Sequence, residues 1–218
     1  MENSFEKSGI NIELIKGLEK QGITTPTEIQ SIIVNPFMEG KDIVGMSYTG
    51  SGKTLAYLLP LFMKVDTSLR STQAIVLTPT HELAVQVYKQ AELLAKNSEV
   101  DVKTALIIGG ANIQRQIDKL KEKPQIVIGS AGRIHDLIKK RKIQAHTVKT
   151  IVIDEADRMI DDLNISGVEA VVKTTLKDRQ IVMLSASITD KASKKAISLM
   201  KEPVFLNASK EEKLPENI

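Results

Sequence analysis

The sequence predicts an α/β protein: a mostly parallel, doubly wound sheet with helices on both faces. Three observations carry that expectation. Seven short runs rich in Val and Ile are continuous rather than alternating, as strands covered on both faces must be. Amphipathic stretches of helical length lie between them, which is the signature of βαβ units with right-handed crossovers. A glycine-rich turn follows directly on the first run, at the edge where such sheets bind ligands.

In chain order, the first 40 residues form a helical preamble, Ile12–Lys20 and then Thr27–Met38, with Pro26-Thr27 marking a helix start. The strand runs are Asp42–Met46, Ala74–Thr78, Thr104–Ile108, Gln125–Ile128, Thr150–Ile153, Gln180–Leu184 and Val204–Leu206. Between them the spacing predicts helices over Glu82–Lys96, Gln114–Lys121 and Ile165–Leu176. The basic run Lys139-Lys-Arg-Lys142 suits a helix C-terminus, where cations meet the negative end of the dipole. The apolar stretch Ala56–Met63 contains Pro60 and is far too short to span a bilayer. Residues 210–218 are charged, carry a Pro and show no periodicity, so they read as an exposed tail or linker.

Composition narrows the function. Of 218 residues, 42% are hydrophobic and 26% charged, ordinary values for a core-forming domain. A net charge of +3 argues against a bulk electrostatic binder, so any nucleic-acid contact must be a local site. With no cysteine and three scattered histidines, a disulfide scaffold is excluded and a zinc site disfavoured. Four Phe, three Tyr and no Trp leave little material for a base-stacking platform. The N-terminus has no apolar segment that suggests export, which makes the cytoplasm the expected location.

The strongest local signal is Ser47-Tyr-Thr-Gly-Ser-Gly-Lys-Thr54. Gly50 and Gly52 permit a sharp turn that aims backbone N–H groups at phosphate oxygens. Lys53 supplies a point charge, and the Thr54 hydroxyl can ligate Mg²⁺. The strict pattern has Gly where Ser47 stands. The helix that follows offers its N-terminus to anions. A phosphate loop needs a partner carboxylate for the metal, and Asp154 follows an apolar strand where that group belongs. Glu155 is placed to orient or deprotonate an attacking water. Asp154-Glu-Ala-Asp157 can also cap the helix after it, a role compatible with metal binding. From these residues alone another P-loop ATPase, such as a small nucleotide kinase or transport ATPase, stays open. So does a non-enzymatic module that holds RNA or a partner protein.

With those segments read, the chain resembles the first RecA-like domain of a DEAD-box RNA helicase, from about Phe5 to the C-terminus. Gly22-Ile-Thr-Thr-Pro-Thr-Glu-Ile-Gln30 is similar to the Q motif, Pro79-Thr-His-Glu-Leu-Ala84 to motif Ia, and Gly109-Gly110 to the GG motif. Ser130-Ala-Gly-Arg133 is similar to motif Ib, and Ser185-Ala-Ser187 stands where motif III belongs. The resemblance implies a three-layer RecA-like sandwich over residues 1–209, with 210–218 beginning a linker to a second RecA-like domain that these residues do not include. It implies an ATP site of Phe5, Thr25, Gln30, Ser47, Tyr48, Thr49, Gly50, Ser51, Gly52, Lys53 and Thr54, in which Gln30 reads the adenine edge and Phe5 packs on the base. Lys53, Asp154 and Glu155 are the implied catalytic residues, with Thr54 and Asp154 holding Mg²⁺ partly through water.

RNA backbone contacts are expected from Pro79, Thr80, Gly109, Gly110, Ser130, Gly132 and Arg133, without sequence specificity. Asp157, Ser185 and Ser187 are expected to couple the ATP site to closure of the second domain. Family members usually have Ala at Ser47, Arg at His81, Thr-Pro at Ser130-Ala131 and Thr at Ser187. The serines keep a hydroxyl at motifs Ib and III, whereas His81 removes a permanent cation. In this family an arginine finger comes from the second domain, and no such motif follows Ser187. The expected unit is therefore a monomeric ATP-binding half-enzyme, weak or inactive in hydrolysis by itself.

Overall fold

The computed structural model describes residues 4–160, 164–187, 194 and 197–208. Their strands are β1 (Ile43–Met46), β2 (Ala74–Leu77), β3 (Thr104–Ile107), β4 (Ile126–Gly129), β5 (Thr150–Asp154), β6 (Gln180–Ser185) and β7 (Val204–Asn207). They form one sheet in the order β3-β4-β2-β5-β6-β1-β7, and every pairing is parallel. Strands β1, β2, β4, β5 and β6 are buried at every position, which explains why their sequences run apolar without alternation. The edge strand β7 is only half-buried throughout.

The helices are α1 (Ser4–Lys7), α2 (Ile12–Glu19), α3 (Glu28–Met38), α4 (Lys53–Lys64), α5 (His81–Ser98), α6 (Ile113–Lys121), α7 (Ala131–Lys139), α8 (Ala156–Met159) and α9 (Ile165–Thr174). Strand residues of opposite parity serve opposite faces. Ala74 and Val76 join a core with Leu14, Ile33, Leu58 and Leu94 from α2, α3, α4 and α5. Ile75 and Leu77 join the other, with Leu120, Ile134, Met159 and Val171 from α6, α7, α8 and α9. The result is a three-layer sandwich. Asp42 fastens its base: Oδ1 accepts from the Ile181 N–H and Oδ2 from the Lys201 N–H, each at 2.7 Å.

Helix ends follow capping chemistry. Thr80 caps α5 by accepting the Leu83 N–H at 3.2 Å. Asn112 caps α6 through the N–H groups of Gln114 and Arg115. The helix expected to reach Leu176 stops at Thr174, because Thr175 is extended (φ −91°, ψ 162°). The basic run does end a helix: Lys140 is the C-cap of α7, and Arg141 turns left-handed at φ 55°. Residues 209–218, including the expected linker, lie outside the described residues. No helix among the described residues is long and apolar enough to cross a membrane.

Candidate functional site

The phosphate loop is built by its neighbours as much as by its own sequence. β1 ends beside β6, and the Ser47 N–H donates to the Ser185 carbonyl at 3.0 Å. Gly50 and Gly52 then take φ +84°, a conformation that strains any residue with a Cβ. At Gly52 a Cβ would also lie 2.4 Å from Gln30 Nε2. That amide donates to the Gly52 carbonyl at 3.1 Å, while Gln30 Oε1 accepts the Thr27 N–H at 2.9 Å. Gln30 thus ties the start of α3 to the start of α4, and it keeps a second N–H and a second lone pair for a ligand. Lys53 Nζ donates to the Ser47 carbonyl at 2.7 Å and to the Tyr48 carbonyl at 2.9 Å, so the loop is folded onto its own lysine. Burial lowers the Lys53 pKa, against the raising charges of Asp154, Asp157 and Glu155. The hydroxyls of Ser47 and Ser51 are buried without a hydrogen-bond partner.

Asp154 ends β5 and is 3% exposed. Its Oδ1 accepts the Glu155 N–H at 2.9 Å, and its Oδ2 accepts the Tyr57 hydroxyl at 2.8 Å. Burial raises the Asp154 pKa, opposed by those two donors and by Lys53, with the Glu155 charge adding to the rise. Burial and the Asp154 charge push the Tyr57 phenol well above its ordinary value. Glu155 takes a left-handed backbone (φ 46°, ψ 54°), and its Oε2 pairs with Arg158 at 2.9 Å. The Ser185 hydroxyl donates to Asp157 Oδ1 at 2.6 Å and accepts the Asp157 N–H at 3.2 Å. The Ser187 carbonyl lies 2.6 Å from the same hydroxyl.

These groups frame a cleft of about 490 Å³ lined by Thr49, Gly50, Gly52, Lys53, Thr54, Asp154, Glu155 and Asp157, with Leu83, Gln86, Arg158 and Ala186. Gln30 stands behind it, joined through Gly52. Ser47 and Ser51 are buried within the loop, Tyr48 points outward at 62% exposure, and Thr25 is exposed ahead of α3. Phe5 departs from expectation: its ring is 1% exposed within the core, so in this conformation it offers no open face to a base. The short α1, which carries Phe5, packs on α2.

The oxygen donors of Thr54 and Asp154 fit Mg²⁺. Among the described residues no cluster of three or more His, Cys, Asp or Glu could hold a metal. Mg²⁺ needs no such cage, since it binds through one or two protein oxygens together with phosphates and water.

The expected RNA residues gather on the other half of the same sheet edge, after β2, β3 and β4. Thr80 precedes α5, and the His81 imidazole lies against Gly109, where an added Cβ would meet Nε2 at 3.3 Å. Gly110 is left-handed at φ 71° with open space around it, and Gly132 is equally open. Ser130 sits at the N-cap of α7 without a side-chain capping bond, leaving its hydroxyl available to a ligand. Arg133 reaches the Ala111 carbonyl at 3.4 Å, so motif Ib and the loop after β3 are in contact.

Comparison with known proteins settles the family. The DEAD/DEAH box helicase family matches residues 27–195. The chain belongs to that family. It is 41% identical to the DEAD-box ATP-dependent RNA helicase CshC of Bacillus cereus over 194 residues, 89% of this chain and 49% of that protein. The RecA-like fold is shared with a DEAD box protein of the hyperthermophile Methanococcus jannaschii (TM-score 0.88, 32% identity, covering 94% of this chain and 56% of that one). S. cerevisiae Dbp5 bound to RNA and ADP BeF3 superposes with a TM-score of 0.85 at 27% identity, covering 94% and 52%. The chain spans about half the length of the curated relatives it matches, or less.

Two residues of this DEAD-box site were not anticipated. Tyr57 lies in the apolar run Ala56–Met63, whose pattern reads as core, although it falls three residues after Thr54 and so on the same helical face. Arg158 is one turn beyond Glu155, a spacing that could have suggested the ion pair. A second cavity, about 530 Å³, lies away from the motifs between α5, β3 and α6. Its Lys119 is paired internally with Glu122 at 2.7 Å.

Proposed function

We propose that this chain is the ATP-binding, RNA-contacting first half of an ATP-dependent RNA helicase. One observation carries the reading: a single cleft gathers Lys53, Thr54, Asp154 and Glu155, with Gln30 fastened behind its loop. Phosphate oxygens replace the Ser47 and Tyr48 carbonyls on the Lys53 ammonium, which opens the loop. The N–H groups at the start of α4 then face the phosphates. Thr54 and Asp154 would hold Mg²⁺, which would supply neutralisation of phosphate charge. Glu155 leaves its exposed pair with Arg158, aligns a water on the γ-phosphate and accepts its proton. Pro79, Thr80, Gly109, Gly110, Ser130, Gly132 and Arg133 contact RNA phosphates and sugars, which sets register without reading sequence. Ser185, Asp157 and Ser187 relay nucleotide state to a second RecA-like domain, which supplies the arginine finger. Together the two domains close on RNA and separate a short duplex, in the cytoplasm and as a monomer.

Calorimetric titration of the chain with Mg-ADP and Mg-GDP, repeated for ADP and GDP on Gln30→Ala, tests this. ADP should bind more tightly than GDP, and the mutation should remove about 1 kcal/mol or more from ADP alone, because the adenine edge loses its partner. Loss of the Gly52 tether would weaken both nucleotides equally, so the GDP titration separates the two effects. Equal binding of both bases, unchanged by the mutation, would sink the adenine reading and the helicase role that rests on it.

A further inference from the structure

Tyr57 belongs to no phosphate-binding motif, yet it is among the largest fully buried side chains of the protein. Phenylalanine would fill the same volume without burying a hydroxyl, which is costly unless paired. The hydroxyl therefore asks for an explanation, and its partner gives one. It donates to Asp154 Oδ2 at 2.8 Å. Asp154 is fixed at both oxygens, with the Glu155 N–H at 2.9 Å holding the other. Each oxygen still has a lone pair for a further partner.

We propose that Tyr57 is a positioning residue for the divalent cation that accompanies the nucleotide, a buried phenol that fixes the carboxylate of its acidic protein ligand, Asp154. The proposal rests on the nucleotide-binding reading above. It assigns Tyr57 no contact with metal or phosphate; its effect passes entirely through Asp154.

The test uses the whole 218-residue chain. ADP affinity is measured by calorimetry in EDTA and in excess Mg²⁺, and the ratio of the two is the metal increment. Tyr57→Phe keeps the ring and the packing, so the fold is retained. The increment should fall about tenfold, the scale of a hydrogen bond to a charged group. Affinity in EDTA should move less than twofold. A Tyr57→Phe chain whose increment stays within twofold of the parent overturns the proposal and leaves the nucleotide reading intact. Equal losses with and without Mg²⁺ would mark a structural role and overturn it as well. If the parent chain shows no ADP binding or no increment, the nucleotide reading itself has failed.

Discussion

Asp154 is a carboxylate kept where ionisation is disfavoured, since burial raises its pKa above the ordinary 3.8. The folded state therefore binds its proton more readily than the unfolded state does. That preference contributes stability below the ordinary carboxylate range and is lost as pH rises through the raised folded value. Asp154→Asn removes the ionisable group and keeps the geometry, because the amide can donate to Tyr57 while its oxygen accepts the Glu155 N–H. With metal chelated by EDTA, the variant should melt roughly 2–4 °C above the parent at neutral pH. The gap should shrink as pH falls through the raised folded value, below which the parent also carries the proton. A parent that is the more stable at neutral pH would contradict this account of Asp154. Lys53, Thr54 and Asp154 were legible because a glycine turn and a strand-end carboxylate announce themselves over a few residues. Tyr57 was not, because its meaning comes from a partner 97 positions away and local periodicity assigns it to the core.

At the scale of elements, continuous Val/Ile runs located every strand among the described residues to within a residue or two. Their lateral order could not be read, since β3-β4-β2-β5-β6-β1-β7 depends on crossovers rather than on local pattern. Gly129 shows what that order demands. A Cβ there would lie 1.7 Å from the Ile107 carbonyl oxygen and 2.6 Å from its carbon, both backbone atoms of the neighbouring strand. Gly129→Ala must push β3 away from β4, and β3 is the strand free to move, being at the sheet edge. The same shift breaks the 3.1 Å bond from the Ser130 N–H to the Ile107 carbonyl. Urea unfolding should show a loss of about 1–3 kcal/mol, as for other overpacked sites. RNA affinity should fall further than ADP affinity, because Gly109, Gly110 and Ser130 follow these two strands and the nucleotide cleft does not. Equal losses for both ligands would mean that the two halves of the edge are not separable.

Across the whole molecule, the sheet edge is divided. The nucleotide groups follow β1, β5 and β6, the expected RNA groups follow β2, β3 and β4, and the seam falls between β2 and β5. Helix α5 crosses it: Leu83 and Gln86 line the nucleotide cleft, while Thr80 and His81 begin the same helix beside Gly109. Among the described residues that line the cleft, none offers a free cation besides Lys53. Arg158 is the arginine that lines it, and that side chain is paired with Glu155 at 2.9 Å. An arginine finger contributes about 10³–10⁵ to turnover in related phosphoryl transfers. The 218 residues alone should therefore bind Mg-ADP yet hydrolyse ATP slowly, and RNA should raise the rate less than about threefold. Arg158→Ala frees Glu155 without supplying a finger, so it should leave that slow rate within the same range. Steady-state phosphate release, with and without single-stranded RNA, measures both. Stimulation of a hundredfold or more by RNA in the isolated chain would show that the cleft is already complete, and the assignment of the missing charge to a second domain would fall.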